Sequence, residues 1–143
     1  MMTPRKRILV IDDESKIRLL LRELLEFHDY EVVTAASGQE ALDYLKGQLV
    51  HLILLDLRMP VMDGWQVLRQ LKDREQTRSI PTIMLTSESE TRAVLTSEDL
   101  RATDYFIKPF KANELLAFIQ RYLEHRIGSP LLGKSGSGAK GTS

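Results

Sequence analysis

The chain contains no cysteine. It therefore builds no disulfide framework and uses no thiolate chemistry, which suits a reducing cytoplasm. It has no excess of either charge, because 20 Lys and Arg balance 20 Asp and Glu over 143 residues. Net neutrality argues against a dedicated nucleic-acid-binding surface, and no direct nucleic-acid contact by this chain is expected. Long apolar runs are also missing. The stretch Ile8 to Ile11 follows the basic Arg5, Lys6 and Arg7 but is far too short for a signal peptide or a membrane span. There is no internal repeat. The expectation left by these absences is a soluble cytoplasmic protein with no membrane partner. Its 43% hydrophobic and 28% charged residues are ordinary for one globular domain with a single substantial core.

What is present is a set of short aliphatic runs that end on polar side chains. Leu52-Ile53-Leu54-Leu55 reads as a strand buried on both faces, and it stops at Asp56. Ile8-Leu9-Val10-Ile11 stops at Asp12 and Asp13. Thr82-Ile83-Met84-Leu85 stops at Thr86, and Tyr105-Phe106-Ile107 stops at Lys108. Val32-Val33 forms the centre of a further short strand.

Between the runs lie helical patterns. Ser15 is a candidate cap for a helix whose apolar stripe is Ile17, Leu20, Leu21, Leu24 and Leu25. Ser37 with Glu40 reads as a capping box opening a helix through Ala41, Leu42 and Leu45, closed by Gly47. Asp63 caps a third helix with Val67, Leu68 and Leu71 inward, and a last one buries Leu115, Leu116, Ile119 and Leu123. The segment Glu88 to Ala102 fits helical spacing only loosely, with Thr96-Ser97 as an interruption. It is expected to be the most mobile part of the domain apart from the tail. From Gly128 the chain is Gly- and Ser-rich, and residues 127–143 read as a flexible tail, linker or expression scar.

Strand and helix alternate five times. That order implies an α/β, doubly wound, five-stranded parallel sheet with right-handed crossovers and helices on both faces. The carboxyl ends of the strands then share one edge, where open α/β sheets bind ligands. Asp12, Asp13, Asp56, Thr86 and Lys108 would all stand there. Carboxylates gathered in one place repel unless a cation sits among them, and oxygen ligands without Cys or a suitable His favour Mg²⁺ or Mn²⁺ over Zn²⁺. A divalent ion, a Lys and a hydroxyl around a central carboxylate form a phosphoryl-binding set, with the carboxylate as nucleophile.

In these motifs the chain resembles the receiver domains of two-component response regulators, the CheY-like superfamily. The resemblance is carried by Leu9 to Glu14, Asp56 to Gly64, Leu85-Thr86-Ser87 and Tyr105 to Phe110, and covers about residues 5–126. It implies a flavodoxin-like (βα)5 fold with strand order 2-1-3-4-5. It further implies that Asp56 is the phosphoacceptor, Asp13 a direct metal ligand, Asp12 its water-linked neighbour, and the Arg58 backbone carbonyl another ligand. Lys108 would sense the phosphate and join Pro109 through a cis peptide, while Thr86 and Tyr105 would form the switch pair. The implied donor is a sensor histidine kinase or a histidine phosphotransfer protein. Output would pass to an effector protein through the face of the fourth helix, fifth strand and fifth helix, with a phosphorylation-dependent homodimer as a further expectation. Such a chain is not an enzyme beyond self-phosphorylation and autodephosphorylation.

The departures are Ser87, where the family usually has Ala or Gly, and Arg101, where a Gly commonly ends the fourth helix. An aspartyl-phosphate phosphatase would need a second Asp two residues after the nucleophile, where Arg58 stands. A flavin carrier would need a hydroxyl- and Gly-rich phosphate loop after the first strand, where Asp12-Asp13-Glu14 would repel a bare phosphate. His28, His51 and His125 are scattered and read as surface or packing residues; Trp65 reads as a partly exposed helix start. The run Arg69, Lys72, Arg74 and Arg78 reads as a solvated face. Arg58 and Glu88 are expected to pair across the mouth of the site.

Overall fold

A computed structural model describes residues 4–90 and 104–125 of the chain. The described elements are β1 (Arg7–Ile11), α1 (Ser15–Phe27), β2 (Glu31–Ala35), α2 (Gly38–Tyr44), β3 (Leu52–Asp56), α3 (Gly64–Asp73), β4 (Thr82–Ser87), β5 (Asp104–Lys108) and a last helix (Ala112–His125). All strand pairs are parallel, in the order β2-β1-β3-β4-β5. Residues 91–103, which include most of the expected fourth helix and Arg101, lie outside the described residues, as do Arg126 and the expected tail at 127–143.

The alternation of side chains along each strand divides the aliphatic runs between the two faces of the sheet. Leu9, Ile11, Ile53, Leu55 and Met84 face α2 and α3, where they meet Ala41, Leu42, Val67, Leu68 and Leu71. Ile8, Val10, Leu52, Leu54, Ile83 and Leu85 face α1 and the last helix, where they meet Leu21, Leu25, Leu115 and Ile119. This is why the central runs are aliphatic at every position: both faces are covered. Each fully buried Leu or Ile stabilises the fold by roughly 1.5–3 kcal/mol. Phe118, absent from the sequence-based inner face of the last helix, is buried and packs on Phe106 with ring centroids 5.3 Å apart.

The helix caps differ in part from expectation. Helix α1 starts at Ser15 with Glu14 as its cap residue, and no side chain closes it. The Glu14 N–H is instead bonded by Asp12 Oδ1 at 2.9 Å. Its buried stripe is narrower than the spacing predicts: Leu21 and Leu25 are buried, whereas Leu20 is 45% exposed. Tyr30 N–H bonds Leu25 O and Asp29 N–H bonds Glu26 O, with Asp29 at φ 71°, so a left-handed residue ends this helix. At α2, Ser37 accepts from Glu40 N–H, but the Glu40 carboxylate reaches Ala36 N–H, one residue earlier than a capping box requires. Helix α3 has the full box, Asp63 with Gln66.

Among the described residues no helix is long and apolar enough to cross a membrane.

Candidate functional site

The turn from β3 into α3 brings the central carboxylate to the sheet edge and holds it there. Leu57 N–H bonds Leu85 O at 2.9 Å, which extends the β3–β4 ladder one residue past Asp56. Gly64 N–H then bonds Leu57 O at 2.8 Å, so α3 begins hard against the end of β3. A Cβ on Gly64 would stand 2.5 Å from Asp56 O and 2.8 Å from Leu57 Cα. Only glycine allows that approach.

Asp12 is fully buried, Asp56 is 5% exposed, and Asp13 is exposed. Lys108 Nζ lies 3.1 Å from Asp12 Oδ2 and 3.1 Å from Asp56 Oδ1, with Glu14 Oε1 at 3.9 Å. The Lys108–Pro109 peptide bond is cis. Burial and the neighbouring Asp12 charge push the Asp56 carboxyl up to about 6, against the pull of Lys108 and a hydrogen bond from the Arg58 backbone. Burial alone would lower the Lys108 pKa, but the Asp56 and Asp12 charges and hydrogen bonds outweigh it and leave it raised. The ammonium is therefore held charged between the carboxylates.

Asp12, Asp13 and Asp56 each offer a carboxylate oxygen, and these oxygens lie within 4.8 Å of one another. One ammonium does not neutralise this group. The acidic excess and the all-oxygen donor set fit a hard divalent cation.

The other side of the site is built by the end of β4. The Thr86 side chain is buried, and its one hydroxyl proton faces two acceptors, Ser87 O at 3.2 Å and Glu90 Oε1 at 3.5 Å. A single 3₁₀ turn, Glu88–Glu90, follows and aims Glu90 back over the strand end. Arg58 Nε donates to Glu90 Oε2 at 2.6 Å. The described partner of Arg58 across the mouth is thus Glu90, two residues beyond the expected Glu88, whose side chain lies outside the described residues. Burial works to raise the Glu90 pKa, but hydrogen bonds from Arg58 and Ser87 outweigh it and hold the carboxyl below its usual range. Tyr105 is buried and packs in the core on the α2–α3 face.

Structure thus brings Asp12, Asp13, Asp56 and Lys108 into one group, with Thr86 and Arg58 at its rim. Sequence reasoning missed Arg18, whose Nη1 donates to Asp12 O at 2.8 Å and braces the turn that carries Asp12 and Asp13. It also missed Glu90. Spacing gives no sign of either contact, since Arg18 reaches a backbone carbonyl and Glu90 meets Arg58 from a distant segment. The histidines are peripheral where described: His51 Nδ1 accepts from Arg7 N–H, and His28 packs edge-on to Phe27.

Comparison with known proteins agrees with this geometry. The response regulator receiver domain profile matches residues 8–120. The chain is 40% identical over 118 residues to the alkaline phosphatase synthesis transcriptional regulatory protein PhoP of Bacillus subtilis, covering 82% of this chain and 48% of that one. It is 34% identical to the sporulation initiation phosphotransferase F of the same organism, covering 82% of this chain and 94% of that one. Among solved structures, the chemotaxis response regulator of Vibrio cholerae superposes with a TM-score of 0.77 at 32% identity, over 84% of this chain and all of that one. The chain spans about half the length of several curated relatives it matches, the transcriptional regulators among them. With a matching profile over most of its length and the expected strand order, the chain belongs to the response regulator receiver domains, the phosphoacceptor switches of phosphorelay signalling.

Proposed function

We propose that Asp56 is the phosphoacceptor of this domain, receiving a phosphoryl group from a phosphohistidine on a sensor histidine kinase or a phosphotransfer protein. The observation that carries this reading is the Lys108 ammonium, 3.1 Å from both Asp12 and Asp56 among converging carboxylates. An Asp56 oxygen forms the new bond to phosphorus as the bond to the donor imidazole nitrogen breaks. The imidazole leaves with the bonding pair and takes up a proton. Lys108 holds one face of Asp56 and stands ready for a phosphoryl oxygen. Asp12, Asp13, Asp56 and the Arg58 carbonyl would hold Mg²⁺ or Mn²⁺, which when bound would offset charge gathered during transfer.

Thr86 would then turn its hydroxyl from Ser87 O to the phosphoryl group, with Tyr105 as its aromatic partner in the switch. The chain acts as a switch with at most self-phosphorylation and autodephosphorylation of its own. Residues 5–126 would form the functional domain, working in the cytoplasm. Its output would pass to an effector protein through the face that includes β5 and the last helix, with dimerisation on phosphorylation as one form of that output.

Incubation with acetyl phosphate, or with beryllofluoride, in the presence of Mg²⁺ should give an adduct in the wild type and none in Asp56→Asn. An adduct of equal yield in the substituted protein would rule Asp56 out as the acceptor.

A further inference from the structure

Glu90 collects an unusual set of donors for a surface carboxylate. Its Oε2 accepts from Arg58 Nε at 2.6 Å, and its Oε1 accepts from Ser87 Oγ at 3.0 Å and Ser87 N–H at 3.4 Å, with Thr86 Oγ1 at 3.5 Å sharing its proton between Glu90 and Ser87 O. A guanidinium, hydroxyls and a backbone N–H converging on one anion are the donors a phosphoryl group takes. They come from the loop after β3 and from the end of β4, the segments that flank Asp56. Arg58 lies two residues beyond Asp56, and Thr86 follows Leu85, the ladder partner of Asp56.

We propose that Glu90 is an internal stand-in for the phosphoryl group, holding Arg58 and the Thr86–Ser87 donors until phosphorylation of Asp56 displaces it. Glu90 is then a positioning residue that sets the threshold of the switch. The inference rests on Asp56 being the acceptor.

The physical ground is competition. A hydroxyl has one proton to donate, so Thr86 cannot serve a phosphoryl oxygen and keep its present bonds. The Arg58 fork meets the same choice between two anions. A phosphoryl group would also repel a carboxylate at the rim, and Glu90 is only 18% exposed, so water screens that repulsion incompletely. The competing view is that Glu90 merely fastens the 3₁₀ turn. The two views differ in sign. A fastener, once removed, leaves anion binding unchanged or weaker; a stand-in, once removed, makes it tighter.

The test titrates beryllofluoride in excess Mg²⁺ into the wild type, Glu90→Gln, Glu90→Ala and Asp56→Asn. Binding is read from the ¹⁹F signal of protein-bound beryllofluoride and from the fluorescence of Trp65, the single tryptophan, in the first turn of α3. Half-saturation in Glu90→Gln should fall roughly three- to tenfold below wild type, the scale of one partly screened charge contact. Tightening in this isosteric neutral variant supports the stand-in even where Glu90→Ala loosens the turn. Binding by the wild type with no tightening in Glu90→Gln overturns it and leaves the acceptor reading intact. No bound signal in the wild type, or an equal one in Asp56→Asn, removes the acceptor reading and the stand-in with it.

Discussion

The two sides of the site are built on different principles. The acidic side, from β1 and β3, has Asp12 and Asp56 buried beneath an exposed Asp13, backed by aliphatic layers on both faces of the sheet and tied by backbone bonds such as Asp12 N–H to Ala35 O and Gly64 N–H to Leu57 O. On the switch side the end of β4 keeps its ladder pairing, Thr86 with Ile107 and Ser87 with Lys108, but the 3₁₀ turn beyond it is tied back by side chains that meet on Glu90. Packing and ladder bonds are cooperative and costly to break, whereas side-chain bonds near water exchange for hydration at little net cost. A receiver needs both. The acceptor has to wait in a fixed geometry, and the reporter has to move when the charge arrives.

The sharpest way to break the contrast is to disturb the backbone of the acidic side. Gly64→Ala places a methyl carbon against the carbonyl and Cα that terminate β3, at separations of 2.5 and 2.8 Å. Neither backbone atom can swing away as a flexible side chain would. The substitution should cost about 2–3 kcal/mol of stability, at the upper end of ordinary overpacking. Urea unfolding checks it. A midpoint within error of wild type would mean the turn into α3 is far softer than its bonds indicate.

The acidic residues were legible in the sequence for the same reason that they are rigid. A strand covered on both faces must be aliphatic throughout, so the first carboxylate after Ile8 to Ile11 or Leu52 to Leu55 marks the sheet edge without any knowledge of contacts. Local chemistry was legible too where it is local, as at the Asp63 cap of α3. Leu20 shows the limit of periodicity: it fits the helical stripe, yet it stays 45% exposed while Leu21 and Leu25 are buried, because spacing marks a face of the helix and not how far its neighbours extend over that face. Arg18 and Glu90 mark a different limit. Arg18 reaches a backbone carbonyl, which every residue has, and Glu90 pairs with Arg58 across 32 positions of sequence. Neither leaves a trace in spacing.

A smaller effect follows from charge on the acidic side. The Asp56 carboxyl is raised to about 6 by burial and by Asp12, even with Lys108 beside it. Its ordinary value in an unfolded chain is about 3.9. Between those values the folded state holds more protons than the unfolded one, so stability falls as pH rises through roughly 4 to 6. Above that window the buried charge is a standing cost. Asp56→Asn should therefore raise metal-free stability at pH 7.5 by ~1–3 kcal/mol, and the gain should vanish as pH falls to about 4. Thermal unfolding in chelator across that range checks the sign. A variant less stable than wild type at pH 7.5 would show that Lys108 more than offsets burial.

The smallest effect on stability is expected on the switch side, at Arg58. Its side chain is 77% exposed, and its bond to Glu90, though only 2.6 Å long, lies at the surface. Exposed pairs contribute ~0–1 kcal/mol, because water and salt replace most of what is lost. Arg58→Ala should therefore leave the unfolding midpoint almost unchanged, in contrast to Gly64→Ala. Its kinetic effect should be larger. Hydrolysis of an acyl phosphate needs a water in line with the breaking bond, and a guanidinium over the mouth hinders that approach. Each ~1.4 kcal/mol removed from the barrier speeds loss tenfold. Half that amount is enough to shorten the phosphoryl lifetime several-fold, as read by release of inorganic phosphate from the phosphorylated variant. Displacement of Glu90 by the phosphoryl group would free Arg58 to cover the site, so Glu90→Gln should not shorten the lifetime as Arg58→Ala does. If both substitutions shorten it equally, the ion pair itself is the shield, and Arg58 does not act after release.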